Sequence, residues 1–347
     1  MKIVYSCANR IGAGVQLTRF LREIDGNPNF TVRIAGYVQP TESLTHIDWT
    51  LDALKHRYSL KNKQELIKLF GYHGIPDVGF NELSILLEEI SEFNPDIVIC
   101  DAEPIVANIA KTLGLRLWYT SPLHLLDGVK WKPGQIKYRA KLEKYKKLLA
   151  KLPKAERRFV YSPFGSLYGV ELKDGFEWMT PYHVEGYGQT SGGVAIIKNR
   201  NRISILSKIL NCVSPFDLTL FSRYGYNLSH LASVNMLDEK NRDIYRDIVS
   251  RSSWVFTTGE TNFVADALYN GAKICVAPDL EDPEALLNAI MVRNYGVGDD
   301  LAQVELLESY AVEAIEKSYS SWASTSYTLK NKAAGIFLHK ELEKLCK

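Results

Sequence analysis

Hydrophobic and polar positions along the chain follow two periods that alternate from one end to the other. Short apolar runs such as Asp96–Cys100 are typical of strands in a parallel sheet that is covered on both faces. Between these runs, apolar residues recur every three or four positions, as in Leu17, Phe20 and Ile24, which is typical of amphipathic helices. The alternation of strands with helices predicts an α/β protein built on parallel sheets.

The chain divides into two halves that repeat this scheme. Residues 186–193 are rich in glycine and small polar residues and form the best candidate for a linker. We therefore predict two Rossmann-like domains facing each other across a cleft, an N-terminal one over residues 1–188 and a C-terminal one over residues 189–325. The predicted strands are Lys2–Cys7, Thr31–Ala35, Asp96–Cys100, Leu115–Thr120, Val194–Ile197, Asp217–Phe221, Trp254–Thr257 and Ile274–Ala277.

Composition is that of a globular protein, since 46% of the 347 residues are apolar and 24% are charged. The N-terminus runs straight into a predicted strand and lacks the apolar region and cleavage site of a signal peptide. No uncharged apolar stretch approaches the roughly 20 residues that cross a bilayer. The five cysteines are scattered without C-x-x-C spacing, so we expect reduced thiols, no zinc site and a cytoplasmic location.

The most informative segment follows the predicted strand Trp254–Thr257. Small and hydroxyl residues around Gly259 lead directly into a helix, so free backbone N–H groups and the positive helix end are expected to face the cleft. Such a turn suits a diphosphate. One helical turn further on, Asp266 could reach ribose hydroxyls, and Asp282 and Asn288 could hold the hydroxyls of a sugar.

This segment resembles the donor domain of UDP-sugar glycosyltransferases of the GT-B fold, which include macrolide and plant enzymes and the bacterial N-acetylglucosaminyltransferase of peptidoglycan synthesis. Their signature, H-G-G-x-N-S, is followed by an acidic residue, a glycine, a proline, D-Q and an Asn-Ala pair. The resemblance implies donor binding in the C-terminal domain, acceptor binding in the N-terminal domain, and a last helix (residues 326–347) that packs back on the N-terminal domain. Seven positions keep the order of the signature: Gly259, Asn262, Asp266, Gly271, Pro278, Asp282 and Asn288.

Two positions depart from that signature, because the family histidine is Thr258 and the second glycine is Glu260. The phosphate contacts must therefore partly differ from those of the family. Arg200 or Arg202, after the first strand of the C-terminal half, is expected to supply the missing positive charge. The residues expected to contact the diphosphate, which we call the donor turn, are Thr258, Gly259, Glu260, Thr261 and Asn262.

The N-terminal half contains a second similarity. The strand Asp96–Cys100 and the residues after it are similar to the P-D-x-V-I-S-D-x-E-P segment of a group of GT-B proteins. Those proteins carry the usual general base, a histidine, in the sequence G-x-G-H after their first strand. Here Gly12 and Gly14 are present and are expected to let the backbone approach the donor, but Val15 takes the place of the histidine.

Another group must then deprotonate the acceptor hydroxyl while the anomeric carbon acquires oxocarbenium character. Asp101 is the first candidate because it follows the carboxyl end of a central strand, with Glu103 second and His124 third. The alternative is that Asp101 only caps the helix that follows.

A basic segment between Lys130 and Arg158 holds twelve Lys or Arg and two Glu, whereas the other 318 residues carry 30 basic and 38 acidic side chains. Its periodicity predicts an amphipathic helix with lysines on the solvent-exposed face. By itself this pattern indicates an ordinary surface helix with no binding role. We predict a polyanionic acceptor, namely duplex DNA with a 5-hydroxymethylated pyrimidine flipped into the cleft, as in bacteriophage DNA glycosyltransferases. The alternative is an anionic membrane. The lysines expected to contact DNA are Lys130, Lys132, Lys137, Lys141, Lys144 and Lys147.

The sequence thus predicts transfer of a sugar from a UDP-sugar to a hydroxyl acceptor by direct displacement, with no cofactor besides the donor and no essential divalent metal. A phage origin would place the protein in the host cytoplasm. One alternative is a UDP-sugar transferase with a lipid-linked or small-molecule acceptor. Another is a non-catalytic protein of the same fold that binds nucleotide sugars or DNA, for which the missing histidine is the best argument.

Overall fold

The computed structural model describes residues 1–8, 11–36, 47–51, 80–131, 139–165, 170–182, 193–196, 218–222, 234–238, 247–249, 251–252, 254–300 and 336–346. In these residues thirteen strands form two sheets, and every pair of neighbouring strands is parallel. We call each sheet with its helices a lobe. The predicted linker, apart from Gly193, lies outside the described residues, as do the predicted boundaries at residues 188 and 325.

The first sheet belongs to the N-terminal lobe and has the order β3-β2-β1-β4-β5-β6-β7. Its strands are β1 (Lys2–Ser6), β2 (Thr31–Gly36), β3 (Trp49–Thr50), β4 (Ile97–Cys100), β5 (Leu117–Ser121), β6 (Arg157–Tyr161) and β7 (Phe176–Met179).

The second sheet belongs to the C-terminal lobe and has the order β10-β9-β8-β11-β12-β13. Both sheets place their first strand next to their fourth, which is the strand order of Rossmann folds. The predicted α/β architecture with two Rossmann-like sheets is therefore confirmed. The strands are β8 (Gly193–Ile196), β9 (Leu218–Ser222), β10 (Val234–Asp238), β11 (Trp254–Thr257), β12 (Lys273–Val276) and β13 (Gly298–Asp300).

Helices connect and cover the strands. A 3-10 turn at Pro122–His124 follows β5 directly. Residues 326–335 of the predicted last helix lie outside the described residues. None of the described helices is both long and apolar enough to span a bilayer. The helices are α1 (Ile11–Ile24), α2 (Phe80–Phe93), α3 (Pro104–Thr112), α4 (Leu125–Gly128), α5 (Arg139–Leu149), α6 (Thr261–Tyr269), α7 (Pro283–Asn294) and α8 (Leu338–Leu345).

The N-terminal sheet is buried on both faces, which explains the continuous apolar runs in its strands. Val4 and Val98 point into one hydrophobic cluster, whereas Ile3 and Ile97 point into another on the opposite face. The second cluster also contains Leu342, so α8 packs against the N-terminal lobe.

A third hydrophobic cluster joins the two lobes. It contains Leu126 and Phe164 from the N-terminal lobe together with Leu286 from α7. The rings of Phe164 and Tyr295 stack with their centroids 6.2 Å apart. The carboxyl ends of strands in both sheets therefore lie near an interface that is closed by packed side chains.

Candidate functional site

Both predicted functional segments lie where the strand order of a sheet reverses. In the N-terminal sheet this point is between β1 and β4, and in the C-terminal sheet it is between β8 and β11. Ligands of open α/β sheets bind beyond the carboxyl ends of the strands at such points. The segment Asp101–Glu103, which we call the acid turn, follows β4, and the donor turn follows β11.

Glu103 caps α3 with its carboxylate. Its Oε1 accepts a hydrogen bond from the backbone N–H of Ile105 at 2.9 Å, and Oε2 accepts from Val106 N at 2.8 Å. The hydroxyl of Ser6, at the end of β1, also donates to Oε2 at 3.0 Å. These are the contacts of a helix cap, so the capping role that sequence analysis left open for Asp101 belongs to Glu103.

Burial raises the pKa of Glu103 to about 6, although the three hydrogen bonds to its carboxylate act in the opposite direction. The side chain is 1% exposed, and the low polarity around it disfavours the charged form. Glu103 is thus a buried acid with a pKa near neutrality, but its oxygens are already used by groups of its own lobe.

Asp101 is fully buried beside the end of β1, where its N–H donates to Ser6 O at 2.9 Å. Its charge adds to the effect of burial in raising the pKa of Tyr5 well above the ordinary value. The next residue, Ala102, adopts a left-handed conformation with φ +49° and packs against the cluster between the lobes. A strained non-glycine residue of this kind is often found at a functional site.

His124 lies inside the N-terminal lobe. Its Nδ1 is 3.0 Å from Asp127 Oδ1, and its ring contacts those of Tyr119 and Phe176, each with a centroid distance of 5.7 Å. The residue is 1% exposed, and its Nε2 makes no hydrogen bond in the described part of the chain. In this position the imidazole faces protein rather than an open cleft.

The two glycines after β1, Gly12 and Gly14, lie in the first turn of α1, which begins at Ile11. Gly14 is buried, and its carbonyl accepts from the hydroxyl of Thr18 at 2.9 Å. Gln16 on the same helix, which was not predicted from the sequence, donates its side-chain amide to Thr120 Oγ1 at 3.1 Å near the end of β5.

The donor turn is tightly packed. Gly259 has φ +102°, and a Cβ added there would lie 2.9 Å from Val276 Cγ1 and 3.0 Å from Ala285. The hydroxyl of Thr258 donates to both carboxylate oxygens of Glu260 at 2.8 Å. The two residues that replace the family histidine and second glycine therefore bind each other.

The start of α6 is occupied by a carboxylate that was not predicted from the sequence. Thr261 N donates to Glu284 Oε1 of α7 at 2.9 Å. The sequence predicted a free N–H at this position, so that expectation is wrong for Thr261. Glu284 is 3% exposed. Asp282 caps α7 by accepting from Glu284 N at 2.9 Å, which fixes the first turn of that helix near α6. The sequence signal that could have indicated Glu284 is its position two residues after Asp282, in the first turn of the helix that Asp282 caps.

Asn288 joins the donor turn to α7. Its side-chain amide donates to Gly259 O at 2.7 Å and to Thr261 Oγ1 at 2.9 Å. Three predicted donor residues are thereby brought together in one buried network. Asn288 Oδ1 has no hydrogen-bond partner in the described residues.

Asn262 and Asp266 face the N-terminal lobe. Tyr161 of β6 donates its hydroxyl to Asn262 Oδ1 at 3.0 Å. Arg19 of α1 forms two hydrogen bonds with Asp266, at 3.0 and 2.7 Å. Arg200 and Arg202, which the sequence offers as cations for the donor, lie outside the described residues.

The basic segment forms α5 and contacts the C-terminal lobe. Lys141 Nζ is 2.7 Å from Glu281 Oε1, and the hydroxyl of Tyr145 donates to Glu281 O at 3.1 Å. Lys130 is 3.6 Å from Glu171, and Lys147 is exposed. Lys132, Lys137 and the side chain of Lys144 lie outside the described residues. In the residues that the structure describes, no group of three or more His, Cys, Asp or Glu is placed to hold a metal ion.

Comparisons with known proteins give the fold a name. No protein-family model matches the sequence, and no curated protein does. Solved structures of glycosyltransferases match over nearly the whole chain. The spinosyn rhamnosyltransferase SpnG with thymidine diphosphate is 12% identical, with a TM-score of 0.65 and 100% of each chain covered. The spinosyn forosaminyltransferase SpnP is 16% identical, with a TM-score of 0.58, 100% of this chain and 99% of the other covered.

A plant structure gives the same result. The UDP-glucosyltransferase from Polygonum tinctorium that is capable of glucosylating indoxyl is 15% identical, with a TM-score of 0.60, and the match covers 99% of this chain and 97% of that one. The chain has the two-lobed fold of these glycosyltransferases. The predicted GT-B architecture is thereby confirmed.

Proposed function

We propose that this protein is a glycosyltransferase that takes a sugar from a uridine or thymidine diphosphate sugar and transfers it to a hydroxyl of a small organic molecule. The observation that carries the proposal is the coincidence of the matched fold with the motif of the C-terminal lobe. Gly259, Thr261 and Asn288 form one hydrogen-bonded network at the point where ligands of this fold bind.

The donor turn is the proposed site of the diphosphate. It follows the fourth strand of its sheet and begins α6, whose N-terminus attracts negative charge. In the structure that charge is supplied by Glu284. We infer that a bound donor takes over this position, with its ribose at Asp266 and its sugar near Asp282 and Asn288.

Asp101 is the proposed general base. It accepts the proton of the acceptor hydroxyl as the acceptor oxygen bonds to the anomeric carbon and the bond from that carbon to the diphosphate oxygen breaks. The nucleoside diphosphate leaves with the electron pair of the broken bond. Glu103 supports Asp101 indirectly, because its cap on α3 fixes the helix that begins directly after the acid turn.

A small acceptor suits this site better than duplex DNA. Asp101 is fully buried near an interface of packed side chains. Lys141 and Lys130 are each close to a glutamate, which reduces the positive field that DNA would meet. Two of the similar proteins are named as spinosyn transferases, and a third is described as glucosylating indoxyl. The DNA acceptor predicted from the basic segment has no support from the similar structures.

The experiment is a calorimetric titration with UDP, TDP and, as a purine control, ADP. It is followed by an assay of nucleoside diphosphate release from UDP-glucose and a TDP-sugar. Each donor is tested alone, with a panel of hydroxylated aromatic and macrolide acceptors, and with hydroxymethylated duplex DNA. We expect pyrimidine nucleotides to bind and a small acceptor to stimulate release. Absence of binding by either pyrimidine nucleotide at millimolar concentration would overturn the proposal, and stimulation by DNA alone would restore the DNA acceptor.

A further inference from the structure

Two residues of α6 that are predicted to bind the donor are held by the N-terminal lobe. Asn262 accepts from Tyr161, and Asp266 forms a bidentate pair with Arg19. The two lie four positions apart on the helix and so share one face. The face of α6 that should meet a nucleotide sugar therefore meets α1 and β6.

The pair between Arg19 and Asp266 is deeply buried. The side chain of Asp266 is 0% exposed and that of Arg19 is 15% exposed. One guanidinium nitrogen donates to Oδ1 and the other to Oδ2, so the planar guanidinium matches both carboxylate oxygens. Ribose hydroxyls would need the same two oxygens.

Arg19 is also tied to the end of the N-terminal lobe. The nitrogen that donates to Asp266 Oδ1 also donates to Tyr182 O at 2.5 Å. The hydroxyl of Tyr182 is in turn 2.9 Å from Nδ1 of His339, in α8. The guanidinium is thus connected to both lobes, and its position depends on how they are packed together.

We propose that Arg19 is a positioning residue of the donor site, which holds Asp266 when no donor is bound and competes with the donor ribose for that carboxylate. This inference rests on the proposed function. Because a buried carboxylate without a partner is strongly unfavourable, Asp266 exchanges one set of donors for another rather than losing them. Donor binding therefore requires the guanidinium to leave and the contact between α1 and α6 to loosen.

The test compares Arg19→Met with Arg22→Met. Both changes remove a guanidinium from α1, but Arg22 is exposed and serves as the matched control. UDP and TDP affinities are measured by calorimetry, and the separation of the lobes is measured by small-angle X-ray scattering. We expect Arg19→Met to bind UDP about tenfold more tightly than the wild type, because the competing cation is gone. We expect Arg22→Met to bind UDP as the wild type does.

Arg19→Lys provides a second variant if Arg19→Met does not fold, since it keeps the charge but loses the bidentate geometry. Its UDP affinity should lie between those of the wild type and Arg19→Met. If folded Arg19→Met or Arg19→Lys binds UDP no more tightly than the wild type does, the inference is overturned. The proposed function still stands in that case, provided that the wild type binds UDP. If neither the wild type nor any variant binds a pyrimidine nucleotide, the proposed function fails and the competition fails with it.

Discussion

The two lobes start the helix after their fourth strand in different ways. In the N-terminal lobe, Glu103 caps α3 with its own side chain. In the C-terminal lobe, the side chain of Glu260 makes no cap on α6, and Glu284 of α7 binds Thr261 N instead. A local cap forms with its helix, whereas a carboxylate from another helix can be replaced by a second anion. We therefore interpret the acid turn as a fixed support, and the proposed function requires the donor turn to exchange its anion.

The backbone of the two turns shows the same contrast. Ala102 of the acid turn has φ +49°, close to the left-handed region that an alanine can enter at a modest cost. Gly259 of the donor turn has φ +102° and is enclosed by Val276 and Ala285. The first turn has room for a side chain, and the second has none because α7 lies directly against it.

Asp101→Asn should have the largest effect of the substitutions considered, because it removes the proposed base from the acid turn while leaving the donor turn unchanged. We expect turnover to fall by roughly 10²- to 10⁴-fold with UDP affinity preserved. Steady-state kinetics and calorimetry on the same preparation measure the two effects. Near-normal turnover would remove Asp101 as the base.

Gly259→Ala should destabilise the C-terminal lobe strongly. The new methyl group would lie 2.9 Å from Val276 Cγ1 and 3.0 Å from the backbone of Ala285, which is too close unless these atoms shift. The backbone φ of +102° is also unfavourable for alanine. We expect the free energy of unfolding to fall by about 3 kcal/mol. The matched control is Gly296→Ala, where φ is +65° and nothing lies within 4 Å of the new atom, so a loss of about 1 kcal/mol is expected. Equal losses in denaturant titrations would contradict the packing argument.

The burial of Glu103 should make stability depend on pH. Its pKa is raised from 4.5 to about 6, so between these values the folded state keeps a proton that the unfolded state has lost. The contribution of Glu103 to the free energy of unfolding therefore falls as pH rises, by about 2 kcal/mol in total. Urea titrations of the wild type and Glu103→Gln at pH 4.5, 6 and 7.5 isolate this contribution as the difference between the two proteins. A constant difference across the range would show that the pKa is not raised.

Glu284→Gln tests whether the anion at the start of α6 can be exchanged. Removing the charge leaves the positive end of the helix without its resident anion, so we expect UDP to bind about tenfold more tightly. Glu281→Gln is the matched control, because Glu281 is exposed and pairs with Lys141 rather than with α6. Weaker UDP binding by Glu284→Gln would mean that Glu284 supports the donor turn rather than occupying the place of the diphosphate.

The sequence predicted the strands near the two turns well, because a buried parallel strand is a continuous apolar run. Strand β11 has the predicted bounds, and β4 differs by one residue. Strand β6 was missed because it begins with Arg157, which binds Glu177 and Glu341 instead of breaking the strand. The order of the motif assigned Gly259 and Asn288 to one donor site, and the structure joins the two residues by a hydrogen bond. Periodicity could not predict Glu284 or Arg19 as partners, because these contacts depend on how α7 and α1 pack against α6.

Ala102→Gly should have the smallest effect of these substitutions, and it changes the acid turn alone. Glycine removes the strain of φ +49°, worth about 1 kcal/mol, but it also raises the entropy of the unfolded chain by a similar amount. We expect the free energy of unfolding to change by less than about 0.5 kcal/mol. Ala110→Gly in α3 relieves no backbone strain, so its free energy of unfolding should fall by about 1 kcal/mol or more. If both variants lose the same amount in denaturant titrations, Ala102 is not strained, and the acid turn owes its shape to the Glu103 cap alone.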